Sequence, residues 1–329
     1  MNRNIKFDNL RGFSMILIVM GHFIGTTHFT QTYFDFAYTL IYLFDLPLLI
    51  FISGYFSKDN PESSIKAFRT IFIPYLIFNT FWIIFIYLTK GYVPADMYLV
   101  PGFGLWYLLS LYLWRAFLPT ATKIKHIFVI SFILAMLIGT VNIDPNFLSI
   151  SRTLCYFPIF LFGFYFKNLE EKFTIKRSYA LLILIPLLIG ATLLYLPFNS
   201  TILILKYAYA SLHMGNLKGM VLRLLFILIS MIIIILLNNI MPSKKTFLTK
   251  IGKNSMSVYI LQFYFVFTIP DIMNYLGFNY VFNSTFLCIF YVIIATALVC
   301  FILSRDKVNK IMDILIIRVT KILMKKTTP

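Results

Sequence analysis

The chain has 329 residues, of which 60% are hydrophobic and only 12% are charged, and its mean hydropathy is +0.85. A soluble domain of this size usually carries about twice that share of charged residues, so the composition argues against a soluble enzyme. The formal net charge of +17 is compatible with nucleic-acid binding, but the positions of the charges along the chain argue against that class.

Apolar runs recur along the whole chain and predict an all-α fold, a polytopic membrane bundle of about ten transmembrane helices. The predicted spans lie near residues 10–27, 36–56, 68–89, 104–119, 124–141, 150–166, 179–197, 220–240, 255–270 and 285–304. With the N-terminus in the cytoplasm, most of the 29 Lys and Arg fall on the inner side, and the outer connections hold Lys90, Arg152, Lys206 and Lys218. This asymmetry predicts two cytoplasmic termini, with the basic excess in contact with anionic lipid.

The first span, FDNLRGFSMILIVMGHFIG, contains Arg11 and His22, eleven residues apart. Eleven helical steps are almost three turns, so both side chains lie on one stripe, separated by about 16 Å. Ionisable groups in a membrane helix are costly, which favours a function for the pair. Arg11 is placed to reach an anion at the membrane surface, and His22 lies deep enough to accept a proton. The alternative for His22 is a hydrogen bond to a neighbouring helix.

The second span contains Asp45 within YLFDLPLLIFISGYF. An unpaired carboxylate at that depth needs a partner. Asp45 and His22 lie at similar depths on antiparallel neighbours, so the carboxylate is a candidate for orienting the imidazole, as the third group does in a catalytic triad. The alternative is a hydrogen bond from the backbone.

Three basic residues mark the inner ends of the next two spans. Lys66 and Arg69 precede the third span in KAFRTIFIPY, and Arg115 follows LWYLLSLYLW in the fourth. Charge bias alone explains Lys66, whereas Arg69 together with Arg11 is a candidate for holding phosphates. Arg115 is expected to snorkel to the inner interface.

The outer half of the bundle carries a second set of polar candidates. Arg152 either snorkels or binds a polar or anionic glycan, and Trp106 is a candidate for stacking on a sugar. Ser255, Tyr259 and Gln262 share one helix face, which either joins helices or lines a cavity. The apolar stretch TILILKYAYASLHM in the outer connection 198–219 predicts an interfacial or re-entrant helix.

No metal site is expected, because His22, His28, His126 and His213 share no ligand spacing and the three cysteines are isolated. The tail after Ser304 predicts a basic amphipathic helix on the inner leaflet. Its apolar face holds Met312, Leu315, Ile316, Val319 and Leu323, and its basic face holds Lys307, Lys310, Arg318, Lys321 and Lys325. The chain is therefore predicted to form a membrane domain over 1–304 and a cytoplasmic tail over 305–329.

These motifs resemble the membrane-bound acyltransferase-3 family, and more closely its fucose 4-O-acetylase-like branch. FDNLRGFSMILIVMGHF carries the family spacing of Arg11 and His22, and weaker matches follow in order as LPLLIFISGYF, KAFRTIFIPY, LWYLLSLYLWR, SRTLCYFPIFLFGFY and IGKNSMSVYILQ. The chain departs from the pattern at Asp45 and Gln262, where many relatives have His. Gln262 can hydrogen-bond but cannot carry a proton.

The resemblance implies transfer of an acyl group, usually acetyl from acetyl-CoA, to a hydroxyl of a cell-surface or lipid-linked glycan in a bacterial cytoplasmic membrane. It implies that His22 is the catalytic base with Asp45 beside it. It further implies that Arg11, Arg69 and Lys66 bind coenzyme A, and that Arg152, Trp106 and Gln262 bind the acceptor.

Two other functions remain open at this point. A glycan exporter or flippase would use a similar bundle without acyl chemistry, and a related acyltransferase would modify a small soluble molecule. The absence of a clear internal repeat weakens the transporter interpretation. The long aromatic outer connection favours a glycan over a soluble acceptor.

Overall fold

A computed structural model describes residues 3–27, 32–93, 96, 98–198 and 200–323. Every regular element formed by these residues is a helix. The α-helices are α1 (Ile5–Thr26), α2 (Thr32–Tyr42), α3 (Asp45–Tyr55), α4 (Pro61–Ala67), α5 (Ile73–Lys90), α6 (Trp106–Ala121), α7 (Ile127–Leu137), α8 (Ile150–Phe166), α9 (Arg177–Tyr195), α10 (Asn216–Ile240), α11 (Phe247–Lys253), α12 (Ser255–Tyr275), α13 (Tyr280–Asn283), α14 (Thr285–Leu303) and α15 (Asp306–Leu323).

Seven helical stretches of the described chain are long and apolar enough to cross a membrane. They are Phe34–Tyr55, Pro61–Lys90, Phe147–Phe166, Arg177–Phe198, Asn216–Ile240, Ser255–Tyr275 and Thr285–Leu303. α1, α6 and α7 also lie on predicted spans but are not among the seven. The all-α membrane bundle is thus confirmed, while the count of ten and the side of the termini stay predictions.

Glycines allow close backbone contact at two helix crossings that involve α1 and α3. α1 crosses α11 where Gly12 faces Gly252, and a Cβ on either would meet a backbone carbonyl of the other helix. α3 crosses α8 in the same way at Gly54 and Gly163. Small residues allow such backbone contact between membrane helices. The crossings fix α1 and α3, which carry His22 and Asp45.

The predicted second span is broken into α2 and α3 at Leu43 and Phe44. Pro47 has no N–H to donate to the Leu43 carbonyl one turn earlier, so a continuous helix would leave that carbonyl free. The Ser230 hydroxyl of α10 donates to this carbonyl at 2.7 Å. The break makes Asp45 the first residue of α3 instead of an interior residue of one long helix.

A π-helical turn over Phe68–Phe72 joins α4 and α5 into one continuous helix. Pro74 follows this turn, and a missing proline N–H is a common cause of such local unwinding. Lys66 and Arg69 therefore lie within the helix rather than before it, and both side chains are exposed.

Ion pairs identify two ends of the bundle. At one end, here called the basic end, Lys6 of α1 pairs with Glu170 at 2.9 Å, and Lys253 pairs with Asp306 at 3.3 Å. At the opposite end Lys90 pairs with Asp271 at 3.5 Å. The start of α1, the segment after α8 and the start of α12 thus share one end, as the alternating topology predicts.

Glu170 is the most connected acidic residue of the basic end. Partial burial alone would raise the pKa of its carboxyl, but hydrogen bonds from Lys6, Tyr55 and Asn238 outweigh this effect and lower the pKa. The bonds measure 2.9, 2.8 and 3.3 Å respectively. The ionised carboxylate therefore joins α1, α3 and α10.

The segment between α9 and α10 differs from the predicted helix. Its described part forms short 3-10 turns at Ser200–Ile204 and Ala210–Leu212, and Leu203, Leu205 and Tyr209 are buried. Hydrogen bonds to the rest of the bundle, with the loop as donor in one and as acceptor in another, replace helical hydrogen bonds. Tyr209 N–H donates to the Gly139 carbonyl at 2.7 Å, and the Ser151 hydroxyl donates to the Leu205 carbonyl at 3.1 Å. We call residues 200–215 the re-entrant loop.

The predicted tail helix is present as α15. Met312 is buried, and Leu315, Ile316 and Val319 are half-buried, whereas Lys307, Lys310, Arg318 and Lys321 are exposed. Leu323, at the end of the helix, is exposed as well. Lys325 lies outside the described residues. The apolar face of α15 packs against α12 and α5, and the domain boundary and cytoplasmic location remain predictions.

Candidate functional site

A cavity of 420 Å³ lies inside the bundle and is called the central cavity here. It is lined by Ile18, His22, Tyr38, Tyr42, Asp45, Leu46, Val100, Pro101, Phe103, Gly104, Trp106, Asn146, Arg152, Tyr156, Ile204, Lys206 and Tyr259. The lining thus includes four of the predicted site residues: His22, Asp45, Trp106 and Arg152. Residues from six helices and from the re-entrant loop contribute, as is typical of sites in helix bundles.

His22 is half-buried and lies where two cavities meet. Its ring contacts Phe103 and Phe263, with centroids at 5.2 and 5.3 Å. It also lines a second cavity of 450 Å³, the vestibule, which extends to the Lys90–Asp271 pair. The imidazole is therefore accessible from the opposite end of the bundle while aromatic rings restrict its motion.

Asp45 lines the central cavity from the first turn of α3. Its Oδ1 accepts a hydrogen bond from the Leu46 N–H at 2.5 Å, and its backbone carbonyl accepts one from Ser14 at 2.6 Å. No hydrogen bond joins Asp45 to His22 in the described part of the chain. The two side chains share a cavity, so the predicted orienting role of Asp45 needs a bridging water or substrate and stays a prediction.

Arg152 of α8 turns into the central cavity and does not snorkel. The residue is 8% exposed, and its guanidinium lies 4.3 Å from the ring centre of Trp106. Tyr156 stacks on Trp106 at 5.8 Å. Because Arg152 and Tyr156 both pack against this indole, Trp106 supports the guanidinium. The predicted stacking of Trp106 on a sugar stays a prediction.

Sequence reasoning missed Lys206 and Asn146. The re-entrant loop carries half-buried Lys206 into the cavity lining, and its Nζ donates to the Asn146 Oδ1 at 3.4 Å. The signal in the sequence was a lysine within the apolar stretch TILILKYAYA. Only the loop's return into the bundle places that lysine in the same cavity lining as Arg152.

Gln262 does not line the central cavity or the vestibule. Its side chain is completely buried, its Nε2 donates to the Tyr259 carbonyl at 3.2 Å, and its Oε1 has no partner among the described residues. Tyr259, one turn earlier, does line the central cavity, and its hydroxyl donates to the Gly104 carbonyl. The predicted acceptor contact of Gln262 remains untested.

A groove of 260 Å³ opens at the basic end and is called the basic groove. It is lined by Phe56, Ser57, Lys58, Asn60, Glu62, Ser63, Lys66, Ala67 and Arg115. Arg115 does not simply snorkel, because its Nε donates to the Ser57 hydroxyl at 3.2 Å. Sequence reasoning missed its place in this groove, whereas exposed Arg69 lies outside the lining.

Arg11 borders the same groove. Its guanidinium lies 5.7 Å from the Phe56 ring centre, and its Nη1 lies 3.6 Å from the Asp8 carboxylate. Tyr107 lies close to Arg11 and Arg115 and packs edge-on against Tyr259 at 5.2 Å. Tyr107 thus links the two arginines of the basic groove region to Tyr259 in the lining of the central cavity.

The described residues contain no group of three or more His, Cys, Asp or Glu that could hold a metal ion. His28 lies outside those residues, so the expectation of a metal-free site remains a prediction. The arrangement can perform acid–base chemistry at His22 and can hold anions at two places, the basic groove and the Arg152 side of the central cavity.

Comparison with known proteins gives one match. A family model described as an acyltransferase domain, of the acyltransferase-3 type, matches residues 4–305. No significant match is found among curated proteins or among solved structures. The match covers α1 through α14 and therefore every residue of the cavities described above.

Proposed function

The chain belongs to the acyltransferase-3 family, and on that premise we propose that it is a membrane O-acetyltransferase that uses acetyl-CoA and acts on a hydroxyl of a cell-surface or lipid-linked glycan. The observation that carries the proposal is the position of His22, at the junction of two cavities and on the same helix stripe as Arg11. We also propose the fucose 4-O-acetylase-like branch and a bacterial cytoplasmic membrane, which the sequence motifs favour.

The basic groove is the proposed binding site for the coenzyme A phosphates. Arg11, Arg115, Lys58 and Lys66 provide cations there, with Glu62 as the opposing charge. Arginine binds phosphate through several donors in a fixed plane, which suits Arg11 and Arg115. Coenzyme A carries its phosphates and its thioester at opposite ends of a long arm. That arm would pass Tyr107 to bring the thioester to His22, about 16 Å from Arg11 along the helix.

His22 is the proposed general base. Its free imidazole nitrogen accepts the proton of the acceptor hydroxyl while the hydroxyl oxygen bonds to the acyl carbon. The carbon–sulfur bond breaks, and the coenzyme A thiolate takes the proton from the imidazolium, so the products are an ester and the free thiol. Asp45 would stabilise the imidazolium across the cavity, through a bridging group.

The decisive experiment measures labelled acetyl transfer by protein in lipid nanodiscs. Wild type, His22→Asn and Arg11→Ala are incubated with radiolabelled acetyl-CoA and an envelope glycan extract of the host. We expect His22→Asn to lose at least 100-fold in turnover with acetyl-CoA binding retained, since general-base catalysis contributes about 10²–10⁴-fold. Arg11→Ala is expected to weaken acetyl-CoA binding.

His126→Asn is the matched control, because His126 is exposed and Asn tolerates its left-handed backbone, φ 59°. The control should keep wild-type turnover. If wild type consumes no acetyl-CoA with the extract present, the acyltransferase proposal fails. If His22→Asn turns over like wild type, His22 is structural. Sugar movement that is indifferent to acetyl-CoA would favour an exporter or flippase.

A further inference from the structure

We propose that the acceptor carries a negatively charged group, a carboxylate or a phosphate, and that Arg152 and Lys206 bind it in the central cavity. The proposal rests on the function proposed above and specifies its substrate class. It concerns an anion other than the coenzyme A phosphates, because Arg152 and Lys206 line the central cavity and not the basic groove.

The guanidinium of Arg152 lacks the partners that a buried cation needs. Its Nε has no hydrogen-bond partner among the described residues, and no described carboxylate lies within ion-pair distance of it. The Trp106 ring at 4.3 Å supplies an electrostatic contact, but an aromatic face accepts no conventional hydrogen bond. An unmatched donor on a buried arginine that lines a cavity favours an anionic ligand there.

The charges of the central cavity are also unbalanced. Arg152 and Lys206 contribute two positive charges, and Asp45 is the one acidic residue in the lining. Asp45 makes no ion pair with either cation among the described residues, and its Oδ1 accepts from Leu46. Lys206 donates a hydrogen bond to the neutral amide of Asn146. One anionic group bound in this cavity would remove the excess charge.

The anion site and the proposed base share one cavity. His22 and Arg152 both line it, and Tyr42, Tyr156 and Tyr259 are lining residues of the same cavity. An acceptor held by its charged group at Arg152 would therefore present neighbouring hydroxyls to His22. Arg152 acts here as a binding residue for the acceptor, and Trp106 acts as a positioning residue for Arg152.

The test uses protein in nanodiscs, radiolabelled acetyl-CoA and the host envelope glycan extract in three forms. One form is untreated, one has its carboxylates reduced to alcohols with carbodiimide and borohydride, and one has its phosphates removed with aqueous hydrofluoric acid. Wild type should lose at least tenfold in label transfer with one treated form, and which form it is identifies the anion. Equal transfer to all three forms would overturn the proposal.

Arg152→Gln supplies the second measurement on the untreated extract. The half-saturating extract concentration should rise at least tenfold, while that of acetyl-CoA should stay unchanged. Arg305→Gln is the matched control, because Arg305 also lies over an aromatic ring, Phe301 at 4.4 Å, but is exposed and lines neither cavity. A rise in both half-saturating concentrations would indicate general damage and would overturn the binding role.

Thermal unfolding without substrate separates this proposal from the acyltransferase proposal. Since Arg152 is unmatched in the free protein, Arg152→Met should leave the unfolding midpoint unchanged or raise it. A fall of several degrees would show that Arg152 is structural. If wild type transfers no label to the untreated extract, the acyltransferase proposal fails, and the unfolding midpoint still decides whether Arg152 is a ligand site.

Discussion

Arg152 and Arg223 are both buried arginines of membrane helices, yet their surroundings differ. Arg223 is 3% exposed and lies 4.6 Å from the Tyr209 ring centre, much as Arg152 lies over Trp106. Arg223 donates to the carbonyls of Ala135 at 3.0 Å and Tyr207 at 3.2 Å, so it joins α7 to the re-entrant loop. Arg152 lines a cavity, and its Nε has no hydrogen-bond partner in the described part of the chain. A buried charge with backbone partners supports the fold, whereas one without them indicates a ligand.

The largest effect expected from this comparison is on stability. Arg223→Met leaves the Ala135 and Tyr207 carbonyls without their charged donor, which should cost about 3 kcal/mol, since each hydrogen bond to a charged group contributes roughly 1.5–3 kcal/mol. Thermal unfolding in detergent measures it, with Arg318→Met on the exposed face of α15 as the control. If Arg223→Met unfolds at the same midpoint as wild type, Arg223 does not support the fold and its contrast with Arg152 is wrong.

Arg115 extends the comparison to the basic groove. Its Nε donates to the Ser57 hydroxyl and it lines an open groove, so it should bind a phosphate, as we propose that Arg152 binds the acceptor anion. Arg115→Gln is expected to raise the KM for acetyl-CoA about tenfold, the loss of one charged hydrogen bond. Arg69→Gln is the natural control, because Arg69 is exposed outside the groove. A larger effect at Arg69 than at Arg115 would support the phosphate-binding role predicted for Arg69 from the sequence.

The smallest expected change in stability concerns Glu170. It is an acidic residue whose partners join several helices, as the partners of Arg223 join α7 to the re-entrant loop. The fold holds its pKa below the ordinary value, so the ionised carboxylate stabilises the protein above that ordinary value and the contribution disappears as the pH falls through the lowered pKa. Glu170→Gln should cost about 1 kcal/mol at pH 7, because the site is partly exposed. The difference between the unfolding midpoints of wild type and variant should shrink as the pH falls below the ordinary pKa of a glutamate and vanish below the lowered pKa of Glu170. A difference that persists unchanged in acid would contradict the ionic interpretation.

Local patterns were enough to predict most helices and the Arg11–His22 stripe. Apolar run length fixes where a membrane helix lies, and helical periodicity fixes which residues share a face. Both depend on neighbours in the chain. For that reason the predicted spans coincide with helices even where the number that cross the membrane remains open.

The parts that sequence reasoning missed depend on distant residues. At the helix break before Asp45, the Ser230 hydroxyl donates the hydrogen bond that the Leu43 carbonyl lacks, and Ser230 is 187 positions from Leu43. Lys206 enters the site because the re-entrant loop bonds to α8 and to Gly139. Pro47 and the lone lysine were visible signals, but neither shows which part of the bundle will supply the missing partner.

The four glycines at the helix crossings have a consequence for genetics. A methyl group at Gly12, Gly54, Gly163 or Gly252 would meet the backbone of the facing helix, so no other residue fits without moving α1 or α3. A screen for inactivating substitutions should therefore return these positions together with His22, although the glycines do no chemistry. In this protein the glycines at the two helix crossings should tolerate substitution as poorly as the residues of the candidate site.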